Sequence, residues 1–133
     1  MTDIRWQQRF ENFEKAYNNF LIVIEALKEN PENIINKMAI IQAYEMVFEL
    51  GWKTAKDFLL KQGVEVSFPR EVIKEAFAYE IIDNGEIWIK MLDDRNLTVH
   101  TYDEAKANAV ISDIKNIYFS EIEQLYNYLK GKL

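Results

Sequence analysis

Three residues within one short stretch of the chain, Arg95, His100 and Tyr102, are suited to chemistry on a phosphate ester. Arginine carries a permanent positive charge on a planar fork that fits phosphate oxygens. Histidine gains and loses a proton near neutral pH, so it can serve as a general acid or base. His100 is the only histidine in the chain. Together, these residue types indicate cleavage of a phosphodiester.

The spacing of Arg95 and His100 leaves several arrangements open. In an ideal helix five residues turn by about 500°, so the two side chains would lie roughly 140° apart. They converge if the helix frays or kinks here, or if two copies of the chain build the site together. A structural interpretation also stands, in which the histidine has no catalytic role and the arginine pairs with Asp93, Asp94 or Asp103.

No sequence pattern indicates a metal site or a phosphate-binding loop. A second histidine is absent, and the residue three positions before His100 is Leu97, so no Glu-x-x-His pair occurs. The four glycines are scattered and form no glycine-rich phosphate loop. We therefore expect neither a metal nor a cofactor.

The composition limits the class of protein. With 133 residues, of which 49% are hydrophobic, the chain is long enough to fold as one domain with a sizeable core. It has no cysteine, no apolar run of about 20 residues and no signal-peptide pattern, so we expect a cytoplasmic protein without a membrane span. The net charge of −6 argues against a general nucleic-acid binder, because phosphate neutralisation dominates such binding. Any nucleic-acid contact would be local, weak or assisted by a partner.

Apolar residues recur at steps of three and four along two long segments, which predicts two long amphipathic helices. The first runs from about residue 4 to 28 and ends before Asn30-Pro31, since the residue before a proline avoids the helical region. The second runs from about residue 32 to 62, with Gly63 as its cap and Gly51 marking close packing or a slight bend. Its predicted apolar stripe is Ile34, Ile35, Met38, Ile41, Tyr44 or Ala43, Val47, Phe48, Trp52, Ala55, Phe58 and Leu59.

Shorter helices follow in the second half of the chain. Pro69 suits the first turn of a third helix. Asp83 with Glu86, and Thr101 with Glu104, resemble capping boxes that open a fourth and a fifth helix, so a helix boundary is expected at 100–102. The sequence therefore predicts an all-α, up-and-down bundle of about five helices. The third helix should bury Val72, Ile73, Ala76 and Phe77, and the last Val110, Ile114, Ile117, Tyr118, Ile122, Leu125 and Leu129.

The stretch Arg95-x4-His100-x-Tyr102 resembles the R-x4-H-x-Y motif of HEPN-domain toxins, which occur in HEPN–nucleotidyltransferase toxin–antitoxin pairs (the HepT family). Segments 68–77, 83–88 and 94–104 also resemble one subfamily, whose members have been called nucleotidyltransferase substrate-binding proteins. The resemblance covers most of the chain, and the ordered set of segments is more specific than the motif alone. It implies a single HEPN-like domain over residues 1–133.

The resemblance also implies a homodimer with the motif lining a cleft at the interface, and metal-independent cleavage of RNA by the RNA's own 2′-hydroxyl. His100 would be the general base or acid, and Arg95 would stabilise the charge that grows on the phosphoryl oxygens. Asn96, four residues before His100, would orient it or hold substrate.

In the HepT family the motif tyrosine receives AMP from a partner nucleotidyltransferase, which silences the toxin. Here that residue is Tyr102, and the added charge and bulk would exclude RNA. Four carboxylates (Asp93, Asp94, Asp103 and Glu104) flank the motif, with Lys90 and Lys106 as nearby compensation. These acidic surroundings keep an alternative open, in which the protein is a non-catalytic substrate-binding subunit of a two-component nucleotidyltransferase.

Overall fold

The computed structural model describes residues 4–97 and 103–133 of the chain. In these ranges the fold contains five helices and no strands, so the predicted all-α class is confirmed. The first four helices are α1 (Arg5–Glu29), α2 (Ile34–Lys61), α3 (Pro69–Ala78) and α4 (Gly85–Leu97). The fifth runs without a break through α5 (Glu104–Asp113), a π-helical turn (Ile114–Tyr118) and α6 (Phe119–Lys130).

Helices α1 and α2 form a long hairpin around an aromatic core. Residues 30–33 join them, and the Asn33 side chain caps α2 by accepting from the Asn36 backbone N–H at 3.0 Å. The predicted bounds of both helices are confirmed to within two residues. Burial of the apolar stripe of α1, rather than local propensity, stabilises so long a helix. Its buried residues are Trp6, Phe10, Phe13, Ala16, Tyr17, Phe20, Ile24 and Leu27.

The two glycines of α2 have the roles that the sequence predicts. A Cβ at Gly51 would lie 3.2 Å from the Phe13 ring, so the residue allows close packing of α1 on α2. Gly63 has a φ of 88° and ends the helix in the left-handed conformation. The Val64 backbone N–H donates to the Leu59 carbonyl at 2.9 Å across this turn. These are the features of a glycine C-terminal cap.

The first part of the predicted α2 stripe does not belong to the core of the chain. Ile34, Ile35 and Met38 are 67%, 71% and 66% exposed, although the sequence pattern predicts them to be buried. The reason is that α1 and the fifth helix cover α2 on its other faces, from Ile40 onwards. Phe77 of α3 is also half exposed rather than buried, with its ring lying against Gly85.

One predicted helix cap is wrong, and another lies outside the described residues. The Asn84 carboxamide, and not Asp83, accepts from the first turn of α4, at 3.4 Å from the Ile87 backbone nitrogen. Asp103 caps α5 through the Lys106 N–H at 3.2 Å, whereas the predicted cap, Thr101, lies outside the described residues. At α4 a neighbouring residue with an equally suitable side chain takes the capping position.

The fifth helix carries the most extensive buried stripe of the second half of the chain. The π-helical turn was not predicted, and the segments on either side of it, α5 and α6, both pack against α2. Among the described residues, no helix is both long enough and apolar enough to cross a membrane. The buried residues of the fifth helix are Val110, Ile111, Ile114, Tyr118, Ile122, Leu125, Tyr126 and Leu129.

The ends of α2 and α3 provide a test of backbone strain. Glu80 follows α3 with a φ of 60°, in the same left-handed conformation as Gly63. Because a Cβ is unfavourable in this conformation, Gly63→Ala should lower the free energy of unfolding by about 1 kcal/mol, and Glu80→Gly should raise it by about 0.5 kcal/mol. Chemical denaturation measures both changes. Gly131 has a φ of −67°, so Gly131→Ala is the control, and an equal loss at Gly63 and Gly131 would contradict the assignment.

Candidate functional site

The last turn of α4 leads into the Arg95–Tyr102 motif. Arg95 belongs to this turn, and α4 ends at Leu97. His100, Tyr102 and the side chain of Asn96 lie outside the described residues, as does the predicted boundary at 100–102. The flanking helices end at Leu97 and begin at Glu104. Of the predicted site residues, the structure therefore places Arg95.

Asp93, two residues before Arg95, contacts α3. Its carboxylate accepts from the Arg70 guanidinium at 3.0 Å, and both side chains are more than half exposed. An exposed pair of this kind contributes little to stability. The pair matters for the charge around the motif, because Arg70 is a third nearby cation in addition to Lys90 and Lys106.

Asp94 faces the interior and is bonded to the fifth helix. Its carboxylate accepts from the hydroxyl of Tyr118, a fully buried residue of the π-helical turn. Lys90 donates to the same hydroxyl at 3.0 Å and to Asp113 at 2.9 Å. Burial and the bond to Asp94 raise the pKa of Tyr118, and the bonds to Tyr118 and Asp113 raise the pKa of Lys90. The phenol thus stays protonated and the ammonium charged near neutral pH.

Arg95 is held by α2. Its Nη1 donates to Oε1 of Glu49, and the other carboxylate oxygen, Oε2, accepts from the Trp52 indole N–H at 3.2 Å. Lys53 lies 3.9 Å from the same oxygen. The side chains of Arg95 and Glu49 are 26% and 31% exposed, so the pair is sheltered while remaining open to solvent.

Three consecutive residues of α4 therefore bond to three different helices. Successive side chains on a helix diverge by about 100°, so Asp93, Asp94 and Arg95 point in three directions. Their partners lie on α3, on the π-helical turn and on α2 respectively. This arrangement fixes both the position and the rotation of the turn from which the motif begins.

The same contacts change the expected electrostatics of the motif. The sequence suggests that four carboxylates oppose an approaching phosphate. In the structure Asp93 is paired with Arg70, Asp94 accepts from Tyr118 with Lys90 3.8 Å away, and Asp103 caps α5. Most of the negative charge beside Arg95 is thus already engaged by donors within the chain.

An apolar groove lies between the first half of α2 and the start of α5. Its volume is about 640 Å³, and one of its lining residues, Glu45, lies one helical turn before Glu49. On an ideal helix the exposed residues Ile35, Met38 and Met46 fall with Glu49 within an arc of about 80°. The exposed face of α2 that carries these apolar residues, with the polar Gln42 among them, therefore reaches the carboxylate that holds Arg95. The groove is lined by Ile34, Lys37, Met38, Ile41, Gln42, Glu45, Glu104, Ala107, Asn108 and Ile111.

Within the described ranges, no three carboxylate, histidine or cysteine side chains form a group that could hold a metal ion. For chemistry, this site supplies an arginine cation in a fixed position. Such a cation can bind and stabilise a phosphoryl group.

The sequence-based predictions missed three residues of this site: Glu49, Arg70 and Tyr118. They are separated along the chain from their partners on α4 by 46, 23 and 24 residues. No helical periodicity connects positions so far apart. Tyr118 was correctly predicted as a core residue, but only its place opposite α4 shows that its hydroxyl serves Asp94.

Comparisons with known proteins identify relatives of the chain. Residues 8–131 match the family described as "Nucleotidyltransferase substrate binding protein like". A protein of Haemophilus influenzae named "Probable ribonuclease HepT" is 31% identical over a region that covers 64% of this chain and 64% of that protein's length.

Solved structures share the fold. A crystal structure of a Thermus thermophilus protein has a TM-score of 0.71 at 31% identity and covers 83% of this chain and 98% of its own. HI0074 from Haemophilus influenzae, described as having the fold of a substrate binding domain of a nucleotidyltransferase, has a TM-score of 0.81 at 24% identity. That match covers 91% of this chain and 98% of HI0074.

The Asp94–Tyr118 bond can be tested by removing one hydroxyl. Tyr118→Phe should lower the free energy of unfolding by about 1–3 kcal/mol, because it leaves a buried carboxylate without this donor. Tyr44, whose ring stacks on Tyr118, donates to the Met91 carbonyl at 2.8 Å. Tyr44→Phe is the matched control and should cost less, about 0.5–1.5 kcal/mol, because its acceptor is a neutral carbonyl. Denaturant unfolding that shows the larger loss for Tyr44→Phe would contradict the assignment.

Proposed function

This chain belongs to the nucleotidyltransferase substrate binding protein-like family, and we propose that it is a HepT-like endoribonuclease toxin of a toxin–antitoxin pair. In this proposal it cleaves RNA in the cytoplasm without a metal ion, and a partner nucleotidyltransferase silences it. The relative named "Probable ribonuclease HepT" supports the reaction class. The observation that carries the proposal is the sheltered, anchored position of Arg95 at the start of the motif.

The proposed reaction uses the 2′-hydroxyl of the RNA as nucleophile. His100 accepts the proton of this hydroxyl, whose oxygen attacks the adjacent phosphorus. The bond from phosphorus to the 5′-oxygen breaks, and the leaving oxygen takes up a proton from a histidine in its acidic form. Arg95 stabilises the negative charge that accumulates on the non-bridging oxygens. Asn96, in the same motif, orients His100 or holds the substrate.

We further propose that the active form is a homodimer in which a second copy covers the exposed face of α2. Ile34, Ile35 and Met38 support this, because an apolar surface of this kind marks an interaction site. The face ends at Glu49, so a two-fold axis near this point would bring both copies of Arg95 to one cleft. Each motif would then contribute to the same RNA-binding site.

Tyr102 is the proposed site of control. Transfer of AMP from ATP to its hydroxyl releases pyrophosphate and leaves a bulky negative group two residues from His100. Such a group would repel the RNA backbone and occupy its path.

A second function remains in competition, that of a non-catalytic substrate-binding subunit of a two-component nucleotidyltransferase. The family's description and the net charge of −6 favour it, since an acidic surface is less suited to RNA than to a basic protein partner. Cleavage by the purified protein distinguishes the two functions.

Purified wild-type protein should cut RNA in the presence of EDTA, and it should leave DNA of the same sequence intact, because DNA lacks the 2′-hydroxyl. His100→Ala should lower the cleavage rate by about 10²–10⁴-fold, and Arg95→Ala by about 10²–10³-fold. Gel analysis of labelled RNA measures the rates, with unfolding curves as a control for folding. Inert wild-type protein, or wild-type rates in folded His100→Ala, would favour the binding subunit.

Incubation with the cognate nucleotidyltransferase and ATP should add adenylate to Tyr102. Intact-mass and peptide mass spectrometry should find the modification in wild-type protein and lose it in Tyr102→Phe. Tyr79, which is 53% exposed, is a matched control, so Tyr79→Phe should be modified like the wild type. Adenylate retained in Tyr102→Phe would place the site of control elsewhere.

A further inference from the structure

We infer that Glu49 is a positioning residue for the proposed cleavage reaction, and that it acts by fixing the guanidinium of Arg95. The inference rests on the proposed function, since it assigns a second residue to the same site. Glu49 lies 46 residues from Arg95 along the chain, on a different helix, and outside the Arg95–Tyr102 motif.

The geometry around Glu49 is that of a carboxylate fixed at both oxygens. Oε1 accepts from Nη1 of Arg95, while Oε2 accepts from the Trp52 indole and faces the Lys53 ammonium. Trp52 is only 8% exposed, so its indole is itself held by the core. The chain of contacts therefore runs from the aromatic core through Trp52 and Glu49 to Arg95.

Such a support has a physical purpose. A free arginine side chain loses rotamer entropy on binding a phosphate. A catalytic group must also be held within about 0.5 Å of its productive position. Glu49 restrains the guanidinium before RNA binds. Part of the entropy cost of ordering the Arg95 side chain is therefore met when the chain folds.

The charge of Glu49 gives the inference a distinctive kinetic consequence. A carboxylate beside a phosphate weakens ground-state binding of RNA, whereas a correctly placed arginine stabilises the transition state. Removal of the charge should therefore lower kcat without raising KM. A residue that merely stabilised the fold would not separate kcat from KM in this direction.

Glu65 provides the control away from the exposed face of α2. It lies in the connector between α2 and α3 and is exposed. In the described part of the chain Glu65 forms no salt bridge, so it does not hold Arg95. Glu65→Gln removes the same charge and should leave both kcat and KM within about twofold of the wild type.

The experiment measures steady-state cleavage of a defined RNA by wild type, Glu49→Gln, Glu49→Asp, Glu65→Gln and Arg95→Ala. Glu49→Gln should lower kcat by about 10- to 100-fold with KM unchanged or reduced. Glu49→Asp keeps the charge but has a shorter side chain that does not reach Arg95 as well, so it should also lower kcat. It serves as a second variant if Glu49→Gln folds poorly. In an Arg95→Ala background, Glu49→Gln should have no further effect on kcat, because the group that it positions is gone.

The outcomes separate the inference from the proposed function. Wild-type kcat in folded Glu49→Gln, with activity lost in Arg95→Ala, would overturn the role of Glu49 and leave the ribonuclease assignment intact. An additive loss in the double variant would likewise overturn positioning through Arg95. Full activity in Arg95→Ala, or inert wild-type protein, would overturn the proposed function and the inference together.

Discussion

The rest of the site depends on how the last turn of α4 is fixed to the bundle. Asp93, Asp94 and Arg95 each bond to a different neighbouring helix, so the turn has little freedom to rotate or slide. The strongest of these constraints is the buried one, in which the hydroxyl of Tyr118 meets the Asp94 carboxylate inside an aromatic core. The exposed pair with Arg70 adds little stability but neutralises charge. A stable core and a positioned arginine are thus consequences of the same packing.

Much of the fold could be predicted from the sequence because its signals are local. Helix periodicity and the residues Asn30-Pro31, Gly63 and Pro69 set bounds that the structure confirms to within about two residues. The π-helical turn was missed, although the stripe itself contains a hint. Its apolar residues from 110 to 122 recur at steps of four residues. Four residues of an α-helix turn by about 400°, so each step moves the next side chain about 40° past the face of the one before. One wider turn restores the register, and that compensation is visible only when the stripe is followed along the helix.

The candidate site was less predictable because its contacts are long-range. Arg95 could be selected by its chemistry and motif, but nothing local in the sequence relates it to Glu49 or relates Asp94 to Tyr118. The start of the α2 stripe, at Ile34 and Met38, was predicted to be buried but is exposed for a different reason. Apolar periodicity predicts that a face will be covered, and it does not say whether the cover comes from the same chain.

Whether two copies bring their Arg95 side chains to one cleft can be measured directly. The chain has no cysteine, so Ala105→Cys places a single spin label beside the motif in each copy, and Gln62→Cys places one at the other end of the bundle. In a dimer that pairs through the α2 face, pulsed EPR should find a short distance between the Ala105 labels and a longer one between the Gln62 labels. No dipolar coupling at either position, or the reverse order of distances, would contradict a shared site.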